Sequence, residues 1–345
     1  MRTVESVAEG HPDKICDQIS DAILDEYLRQ DPNSRVAVEV FGSHGLLVIG
    51  GEVTSRTEIR PEIIAEEVYK KIGHTDKLEI LVNLEKQSPD ISIGVDTGGA
   101  GDQGIMYGYA TDETSEFLPK ILVMAHALTR GLADLRKHHP DFFWLGPDGK
   151  SQITMEGKDV KSVLVSTQHS ESIANEVIKE MLTRHLIRPI VGQLDDIDIL
   201  INPTGRFVKG GFMADTGLTG RKIMVDTYGG LLPHGGGAFS GKDPSKVDRS
   251  AAYMCRYVAK NIVANELAKN CLVSVAYAIG RAEPLMISAR SSDGKDLSAL
   301  VKEKFDFRPK AIIERLNLLR PIYQQTASCG HFGKPELPWE DIVVL

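Results

Sequence analysis

The sequence lacks the features that mark secreted and membrane-spanning proteins. No run approaches the roughly 18 unbroken apolar residues of a transmembrane helix, and the first residues do not form a signal peptide. The four cysteines have no C-x-x-C spacing, so neither a zinc site nor a disulfide framework is visible; they are Cys16, Cys255, Cys271 and Cys329. We therefore expect a cytoplasmic protein with reduced, mostly buried thiols.

An excess of positive charge is also missing. The formal net charge of the 345 residues is −8 at pH 7, which argues against general binding of nucleic acids or anionic membranes. Lysine and arginine nevertheless occur in local clusters, and clusters in an acidic chain indicate a specific small anion. The length predicts two or three domains.

The common nucleophilic and kinase motifs are missing as well. There is no serine or cysteine elbow and no H-R-D or D-F-G motif. The chain is instead rich in candidate phosphate-binding residues, namely Lys14, Lys150, Arg206, Arg221, Lys222, Lys242 and Lys246. Such a set suits a reaction that neutralises a polyphosphate and takes no proton from its nucleophile. Attack of a neutral sulfur on C5′ of a nucleotide is one such reaction, although these residues alone do not establish it.

A glycine-rich turn at 235–241 is the strongest local signal for an anion. Glycine lets backbone N–H groups approach a ligand closely, and Asp243 with Pro244 predicts that a helix begins directly afterwards. A helix N-terminus attracts anions through its free N–H groups and its dipole. Three cations lie beside this point, Lys242, Lys246 and Arg249. The stretch predicts a polyphosphate cradle; the alternative is an ordinary turn with solvated lysines.

Two stretches match the residue patterns of nucleotide-binding motifs, but the secondary structure predicted around them does not fit those motifs. Residues 236–242 read G-x-x-x-x-G-K, but Asp243 follows where a P-loop has Ser or Thr, and no buried strand precedes. Residues 99–104 read G-x-G-x-x-G, but the next residues do not begin a helix. The glycine-rich stretch 87–104 is more typical of a lid over a site.

Acidic residues recur every fourth position along the first predicted helix, which begins near Pro12. They are Asp13, Asp17, Asp21 and Asp25. Like charges at this spacing repel, so we expect Asp21 and Asp25 to lie on a solvated face. Asp13 lies in the first turn beside His11 and is a candidate Mg²⁺ ligand. Glu39, on the predicted strand 35–41, is either an ion-pair partner or a cation ligand.

Strands and helices alternate along the chain, and helices near Pro12, Thr114 and Pro244 each follow a glycine-containing turn. Further helices are predicted at 61–72, 173–185 and 309–319, and further strands at 46–53, 77–84, 151–156, 160–167, 198–201, 272–277 and 285–289. The weak repeat predicts three related α+β domains, with boundaries at 1–95, 96–209 and 210–345.

Five motifs resemble those of the S-adenosylmethionine synthetase (methionine adenosyltransferase) family. They are E-S-V-A-E-G-H-P-D-K at 5–14, G-A-G-D-Q-G at 99–104, N-P-T-G-R-F at 202–207, G-L-T-G-R-K at 217–222 and G-G-G-A-F-S-G-K-D-P-S-K-V-D-R at 235–249. The resemblance runs from Glu5 to Trp339. It implies synthesis of S-adenosylmethionine from ATP and L-methionine, with the triphosphate cut to phosphate and pyrophosphate.

The resemblance also implies roles for particular residues. His11 matches a residue near the bridge oxygen where the C5′–O bond breaks, Asp13 and Asp248 match Mg²⁺ ligands, and Glu39 matches a K⁺ ligand. The ATP contacts implied are His11, Asp148, Lys150, Arg206, Phe207, Asp215, Arg221, Lys222, Ala238 and Lys242. The catalytic residues implied are His11, Lys150, Arg221, Lys242 and Lys246, and the methionine contacts are Glu52, Gln87, Asp215 and Lys246.

The family implies a fold of three α/β-sandwich domains with pseudo-threefold symmetry. It also implies two Mg²⁺ ions per site, one K⁺ per subunit, and a dimer or tetramer with active sites between subunits. Gln87 and Glu52 would come from the neighbouring subunit. The implied lid residues are Gln87, Ser88, Pro89, Asp90, Ile91 and Asp102.

This sequence departs from the family pattern in three places. The lid looks several residues shorter than in common members, and Thr216 stands where some relatives have cysteine. The sequence begins almost on the first motif, so we expect an N-terminal edge segment of the family to be missing. Two other functions would use the same cradle: a non-catalytic nucleotide-binding module, and an ATP-dependent kinase or ligase. The kinase or ligase would release ADP or AMP, whereas adenosyl transfer releases neither.

Overall fold

The computed structural model describes residues 1–86 and 99–345. The strands are β1 (Arg2–Val7), β2 (Arg35–Ser43), β3 (Leu46–Thr54), β4 (Glu79–Glu85), β5 (Gly104–Thr111), β6 (Leu145–Glu156), β7 (Asp159–His169), β8 (Asp198–Ile201), β9 (Gly217–Leu218), β10 (Asn270–Tyr277) and β11 (Met286–Arg290). The helices are α1 (Pro12–Gln30), α2 (Pro61–Ile72), α3 (Lys120–His138), α4 (Asn175–Leu182), α5 (Arg188–Val191), α6 (Ile223–Asp226), α7 (Val247–Ala264), α8 (Ser298–Lys304) and α9 (Pro309–Arg315).

Three sheets, each with one long helix against it, make up the described chain. Their strand orders are β4-β3-β2-β9, β1-β6-β7-β8 and β11-β10-β5. Helix α1 packs on β2, α3 packs on β1 and β6, and α7 packs on β5 and β10. An apolar stripe on each helix faces its sheet, as the full burial of Ile15, Ile19 and Ile23 on α1 illustrates. The prediction of three related α+β units is confirmed.

The three units exchange strands in a cycle. Strand β1 precedes α1 but pairs with β6 in the second sheet, and β5 precedes α3 but pairs with β10 in the third. Strand β9, from the third unit, returns to pair with β2 in the first sheet. Each unit therefore lends its first strand to a neighbour, which ties the three together and joins the N-terminal and C-terminal thirds of the chain.

The predicted helices and strands occur, several with shifted ends. The prediction that a helix begins at Pro244 was wrong about the first residue, because α7 begins at Val247 with Lys246 as its N-cap. Asp243 instead accepts bonds from the backbone N–H groups of Val36 and Ser245, at 2.7 and 2.9 Å, and so holds the preceding turn. Residues 188–191 form a separate short helix, since Thr183–Ile187 is a π-helical turn.

The expectation of mostly buried thiols is confirmed, and that of reduced thiols stays a prediction. Cys16, Cys255 and Cys271 are buried, Cys329 is half-buried, and all four are unpaired. Across residues 1–86 and 99–345, no helix has both the length and the apolar character needed to traverse a bilayer.

Candidate active site

One edge of strand β2 carries both cation-rich segments predicted from the sequence. At its C-terminal end, Phe41 and Gly42 pair with β9, and the amide of Thr219 donates to Val40 at 3.0 Å. At its N-terminal end, the amide of Val38 donates to the carbonyl of Gly241 at 3.0 Å. Segments 217–222 and 241–248 thus lie side by side on one strand, although about twenty residues separate them in the sequence.

The first cluster, as we name it, is formed by His11, Asp13, Arg221 and Lys222. Lys222 Nζ lies 2.5 Å from Asp13 Oδ2, and Arg221 Nε lies 3.7 Å from Asp13 Oδ1. The amide of Leu218 also donates to Asp13 Oδ1, at 2.9 Å. Burial raises the pKa of Asp13, but the bonds from Lys222 and Leu218 outweigh it, so the pKa lies below its usual value. Asp13 is therefore a buried carboxylate that stays charged.

His11 lies at the N-cap of α1 and is nearly fully buried. Its burial and the charge on Lys222 lower the pKa of the imidazole to about 3, so the ring is neutral near pH 7. Its Nδ1 accepts the amide N–H of Asp13 at 3.2 Å, which assigns the ring proton to Nε2. His11 is thus a neutral hydrogen-bond donor, and the positive charges of Lys222, Lys150 and Lys14 all lower its pKa.

Asp148 and Lys150 approach this cluster from strand β6. The positive charge of Lys150 contributes to the lowered pKa of His11, and the charge of Asp215 contributes to the raised pKa of Asp148. Asp148 is buried, and burial raises its pKa to about 6 even though its Oδ2 accepts the amide N–H of Gly211 at 2.9 Å. Lys150 therefore lies near His11 and Asp215 lies near Asp148, and their roles as ATP contacts stay predictions.

The second cluster, as we name it, is formed by Lys242, Asp243, Lys246 and Asp248 at the start of α7. Lys242 Nζ lies 2.7 Å from Asp248 Oδ2, and Lys246 Nζ lies 2.5 Å from Asp243 Oδ2. Asp248 is half-buried and lines a narrow cleft together with Tyr107, His234 and Gly237. No hydrogen bond or ion pair joins the two clusters within residues 1–86 and 99–345.

The turn before the second cluster requires glycine at position 241. Gly241 has φ +79°, and a Cβ atom there would lie 1.9 Å from the carbonyl oxygen of Val38. The close approach lets the turn run along β2, and it places Lys242 opposite Ala37. The path of the glycine-rich turn 235–241 is therefore set by its packing on the edge of β2, as well as by the conformational freedom of its glycines.

Several other implied site residues form no hydrogen bond or ion pair with either cluster within the described ranges, although Ala238 packs beside Gly220. Arg206 forms an exposed ion pair with Glu171 at 2.6 Å, and Phe207 pairs with His169 through its backbone. Glu39 is exposed and Glu52 is half-buried, both on the open face of the first sheet. Ala238 is half-buried on the glycine-rich turn, and Asp102 is exposed just before β5. The lid positions Gln87, Ser88, Pro89, Asp90 and Ile91 lie outside the described residues.

The prediction of a solvated acidic face on α1 was wrong. Asp17 and Asp21 are fully buried, and Asp25 is nearly so. Asp17 accepts the amide of Gly220 and Asp21 accepts the amide of Gly241, each at 2.8 Å, while Asp25 accepts the amides of Tyr323 and Gln324. Helical spacing predicts the stripe but not its surroundings, because the partners come from the other end of the chain. The only signal in the sequence for burial of this stripe would have been a cation beside the aspartate at each helical turn.

The two metal-ligand candidates fit Mg²⁺. Carboxylate oxygens are the ligands that Mg²⁺ takes alongside substrate phosphates, and both Asp13 and Asp248 now hold a lysine ammonium, a smaller positive charge in the same place. In the ranges that the structure describes, no three His, Cys, Asp or Glu side chains group to hold a metal. Such a site is incomplete without oxygen donors from a ligand.

Comparisons with known proteins find one family along the whole chain. Models of the S-adenosylmethionine synthetase N-terminal, central and C-terminal domains match residues 1–89, 97–207 and 209–341. S-adenosylmethionine synthase of Sorangium cellulosum is 51% identical over 98% of this chain and 86% of its own. The proteins of that name from Salinibacter ruber and Petrotoga mobilis are 51% and 48% identical, over 99% and 98% of this chain and 95% of each relative.

Proposed function

The chain belongs to the S-adenosylmethionine synthetase family, and we propose that its two clusters together carry out the family's reaction. The protein is a methionine adenosyltransferase that makes S-adenosylmethionine from ATP and L-methionine. The observation that carries the assignment to these residues is the pair of lysine–aspartate clusters on one edge of β2.

The chemical step needs no base. A lone pair on the methionine sulfur forms the S–C5′ bond, the C5′–O bond breaks, and its electrons remain on the triphosphate oxygen. The sulfur becomes a sulfonium without losing a proton. Water then cleaves the triphosphate into phosphate and pyrophosphate. The protein's contribution is to align sulfur and C5′ and to stabilise the negative charge that develops on the leaving group.

His11 and the cations divide that task. The neutral His11 donates its Nε2–H to the bridging oxygen as the C5′–O bond breaks, a role supported by its lowered pKa and its bonded Nδ1. Arg221, Lys222 and Lys150 neutralise the triphosphate from one side, and Lys242 and Lys246 do so from the other. Arg221 is half-exposed beside Asp13 and also assists hydrolysis of the triphosphate.

The family is metal-dependent, and the carboxylates present suit two Mg²⁺ ions per site. Asp13 and Asp248 would hold them, which would release Lys222 and Lys242 to the phosphates. Bound Mg²⁺ would neutralise charge on the phosphate oxygens. Glu39 would supply an oxygen ligand to one K⁺ per subunit.

We infer that each active site is assembled between two subunits. Two facts about the single chain support this. No hydrogen bond or ion pair joins the clusters in the described parts of the chain, and the open face of the first sheet leaves Phe41 37% and Leu81 49% exposed. Register places both apolar side chains on the same face as Glu39 and Glu52. An apolar sheet face of this kind marks a protein interface, which would bring Glu52, and Gln87 beyond the described residues, to a neighbour's methionine.

Asp148, Arg206, Phe207 and Ala238 would then hold the adenosine, and Asp215 would contact both adenosine and methionine. The three domains are proposed to divide at 1–95, 96–209 and 210–345, and Asp102 to border the lid. Unpaired cysteines support a reducing, cytoplasmic location.

Product analysis tests the function. Purified protein is incubated with ATP, L-methionine, Mg²⁺ and K⁺, and the products are identified by mass spectrometry. The expected products are S-adenosylmethionine, phosphate and pyrophosphate, all dependent on methionine. ADP or AMP would overturn the proposal in favour of a kinase or ligase. Tight ATP binding without turnover would favour a nucleotide-binding module.

A further inference from the structure

The buried acidic stripe of α1 is unusual because each of its residues binds backbone amides of the C-terminal third. Asp13 accepts Leu218 N–H, Asp17 accepts Gly220 N–H, and Asp21 accepts Gly241 N–H, at 2.9, 2.8 and 2.8 Å. Successive acceptors lie one helical turn apart. The loops they bind are the two that present the proposed phosphate-binding cations.

Asp17 holds the first of these loops at both ends. Its Oδ1 accepts the amide of Gly220, immediately before Arg221 and Lys222. Its Oδ2 accepts a bond from Lys14 Nζ at 2.9 Å, and Lys14 Nζ also lies 2.5 Å from Asp226. Asp226 ends α6, four residues after Lys222. The two cations therefore lie on a short segment whose two ends are both attached to one buried Asp17–Lys14 pair.

The attachment is shielded from water. Lys14 and Asp17 have fully buried side chains, and that of Asp226 is 2% exposed. Gly220 has φ +80°, which suits glycine, so its N–H points into the α1 face without strain. Charge-assisted bonds in such surroundings are strong and directional.

Asp21 makes the corresponding attachment for the second loop. Its Oδ1 accepts the amide of Gly241, next to Lys242. Both its oxygens also accept bonds from the buried guanidinium of Arg249, at 2.6 and 2.8 Å. Arg249 donates in turn to the carbonyl of Lys242 at 3.1 Å. Backbone groups on both sides of the Gly241–Lys242 bond are thus attached to the Asp21–Arg249 pair.

We propose that Asp17 and Asp21 are positioning residues for the triphosphate: they hold the Arg221–Lys222 and Lys242 loops in register on α1. The proposal rests on the proposed function, since it names how that site's cations are held. Neither residue touches substrate. Because α1 carries both attachments, one helix sets the position of both cation loops in a subunit.

Asp25 provides a matched control on the same stripe. It is buried and accepts backbone amides, as its neighbours do, but those amides belong to Tyr323 and Gln324 and border no cation of either cluster. Asp25→Asn removes a buried carboxylate from the same helix face without releasing a phosphate-binding loop.

The test compares Asp17→Asn with Asp25→Asn by calorimetric binding of inorganic tripolyphosphate in the presence of Mg²⁺, below both unfolding temperatures. We expect Asp17→Asn to raise the tripolyphosphate Kd at least about tenfold and to lower kcat, while KM for methionine changes less than about twofold. Asp25→Asn is expected to leave the Kd within about twofold of wild type. In an Arg221→Ala background, the effect of Asp17→Asn on Kd should shrink, because the two act through the same contact.

Equal effects of the two substitutions on Kd, or full additivity with Arg221→Ala, would overturn the proposal. If Asp17→Asn does not fold, Asp226→Asn replaces it, since it releases the other end of the segment and is judged by the same outcomes. Failure of the proposed function looks different: wild-type protein would bind tripolyphosphate and yet form no S-adenosylmethionine.

Discussion

The two clusters contain the same chemical pair, a lysine on an aspartate, in different settings. Asp13 of the first cluster is 3% exposed, accepts a backbone N–H, lies beside two cations and is 3.9 Å from Nδ1 of the neutral His11. Asp248 of the second is 21% exposed and lines the narrow cleft. The groups around the first aspartate enclose it within one chain, whereas the second aspartate faces outward. An outward-facing second cluster is what the proposed arrangement requires, in which it contributes to the site of a neighbouring subunit.

The sharpest test of that comparison uses two inactive variants. Asp13→Asn and Asp248→Asn should each reduce turnover by about 10³-fold or more at limiting Mg²⁺, because a charged metal ligand becomes neutral. If a site takes one cluster from each subunit, co-expressed and differently tagged variants should regain about a quarter of wild-type activity. Half of randomly formed dimers are mixed, and a mixed dimer has one intact site of two.

Doubly tagged dimers purified in two affinity steps provide the measurement, and because all of them are mixed they should show about half of wild-type activity. Each variant passed through both steps alone provides the control. Mixed dimers as inactive as either parent would place both clusters in the same site of one subunit. That result would remove the intersubunit arrangement while leaving the reaction in place.

The two lysines of the second cluster should separate activity from stability. Lys242→Met and Lys246→Met should each slow adenosyl transfer about 100-fold, since each removes one cation from the leaving group. Lys246→Met should also lower the free energy of unfolding by about 1–2 kcal/mol, because its partner Asp243 is fully buried, whereas Lys242→Met should cost less than about 1 kcal/mol. Burial raises the pKa of Asp243, but the charge of Lys246 outweighs burial and holds the pKa below its usual value.

Urea unfolding and single-turnover kinetics on the same preparations make the comparison. An equal loss of stability in both variants would mean that Asp243 is satisfied by its backbone donors alone. A loss of stability in Lys246→Met as large as its loss of activity would identify Lys246 as a structural lysine.

The α1 stripe predicts a dependence on pH that a solvated face would not have. Burial raises the pKa of Asp25 to about 6. A folded pKa above the unfolded value means that this group stabilises the protein most below the unfolded pKa and loses that contribution as pH rises through 6. The free energy of unfolding of wild type relative to Asp25→Asn should therefore fall by about 1 kcal/mol from pH 5 to pH 7. A flat difference across that range would contradict the burial of this carboxylate.

The sequence predicts the units of the fold better than their connections. Period-four apolar positions place α1, and period-two alternation places β2, because local packing sets those patterns. The pairing of β1 with β6, of β5 with β10 and of β9 with β2 has no local signal. Those pairings bring the C-terminal third over α1, and so they also decide the surroundings of Asp17, Asp21 and Asp25.

The candidate site shows the same division. Glycine, lysine and aspartate at 235–249 identify an anion site, since the chemistry depends on residues close in sequence. The start of α7 at Val247 does not follow from Asp243 and Pro244, because Asp243 is bound by the amide of Val36 on a distant strand. Asp243 is of a residue type that often caps helices, but in this fold it binds the backbone of a distant strand instead.

The smallest effect is expected outside both clusters, at Arg206. Its ion pair with Glu171 leaves the side chains 69% and 72% exposed, so breaking it should change the free energy of unfolding by less than about 0.5 kcal/mol. Glu171→Gln should nevertheless lower KM for ATP about twofold, because a competing carboxylate is replaced by a neutral amide of the same shape. Raising the ionic strength should reduce that difference, since exposed charges are screened.

A higher KM for ATP in the variant would instead assign Glu171 to holding Arg206 in place. Arg206 would then resemble the cations of the first cluster, held by a carboxylate of the same chain.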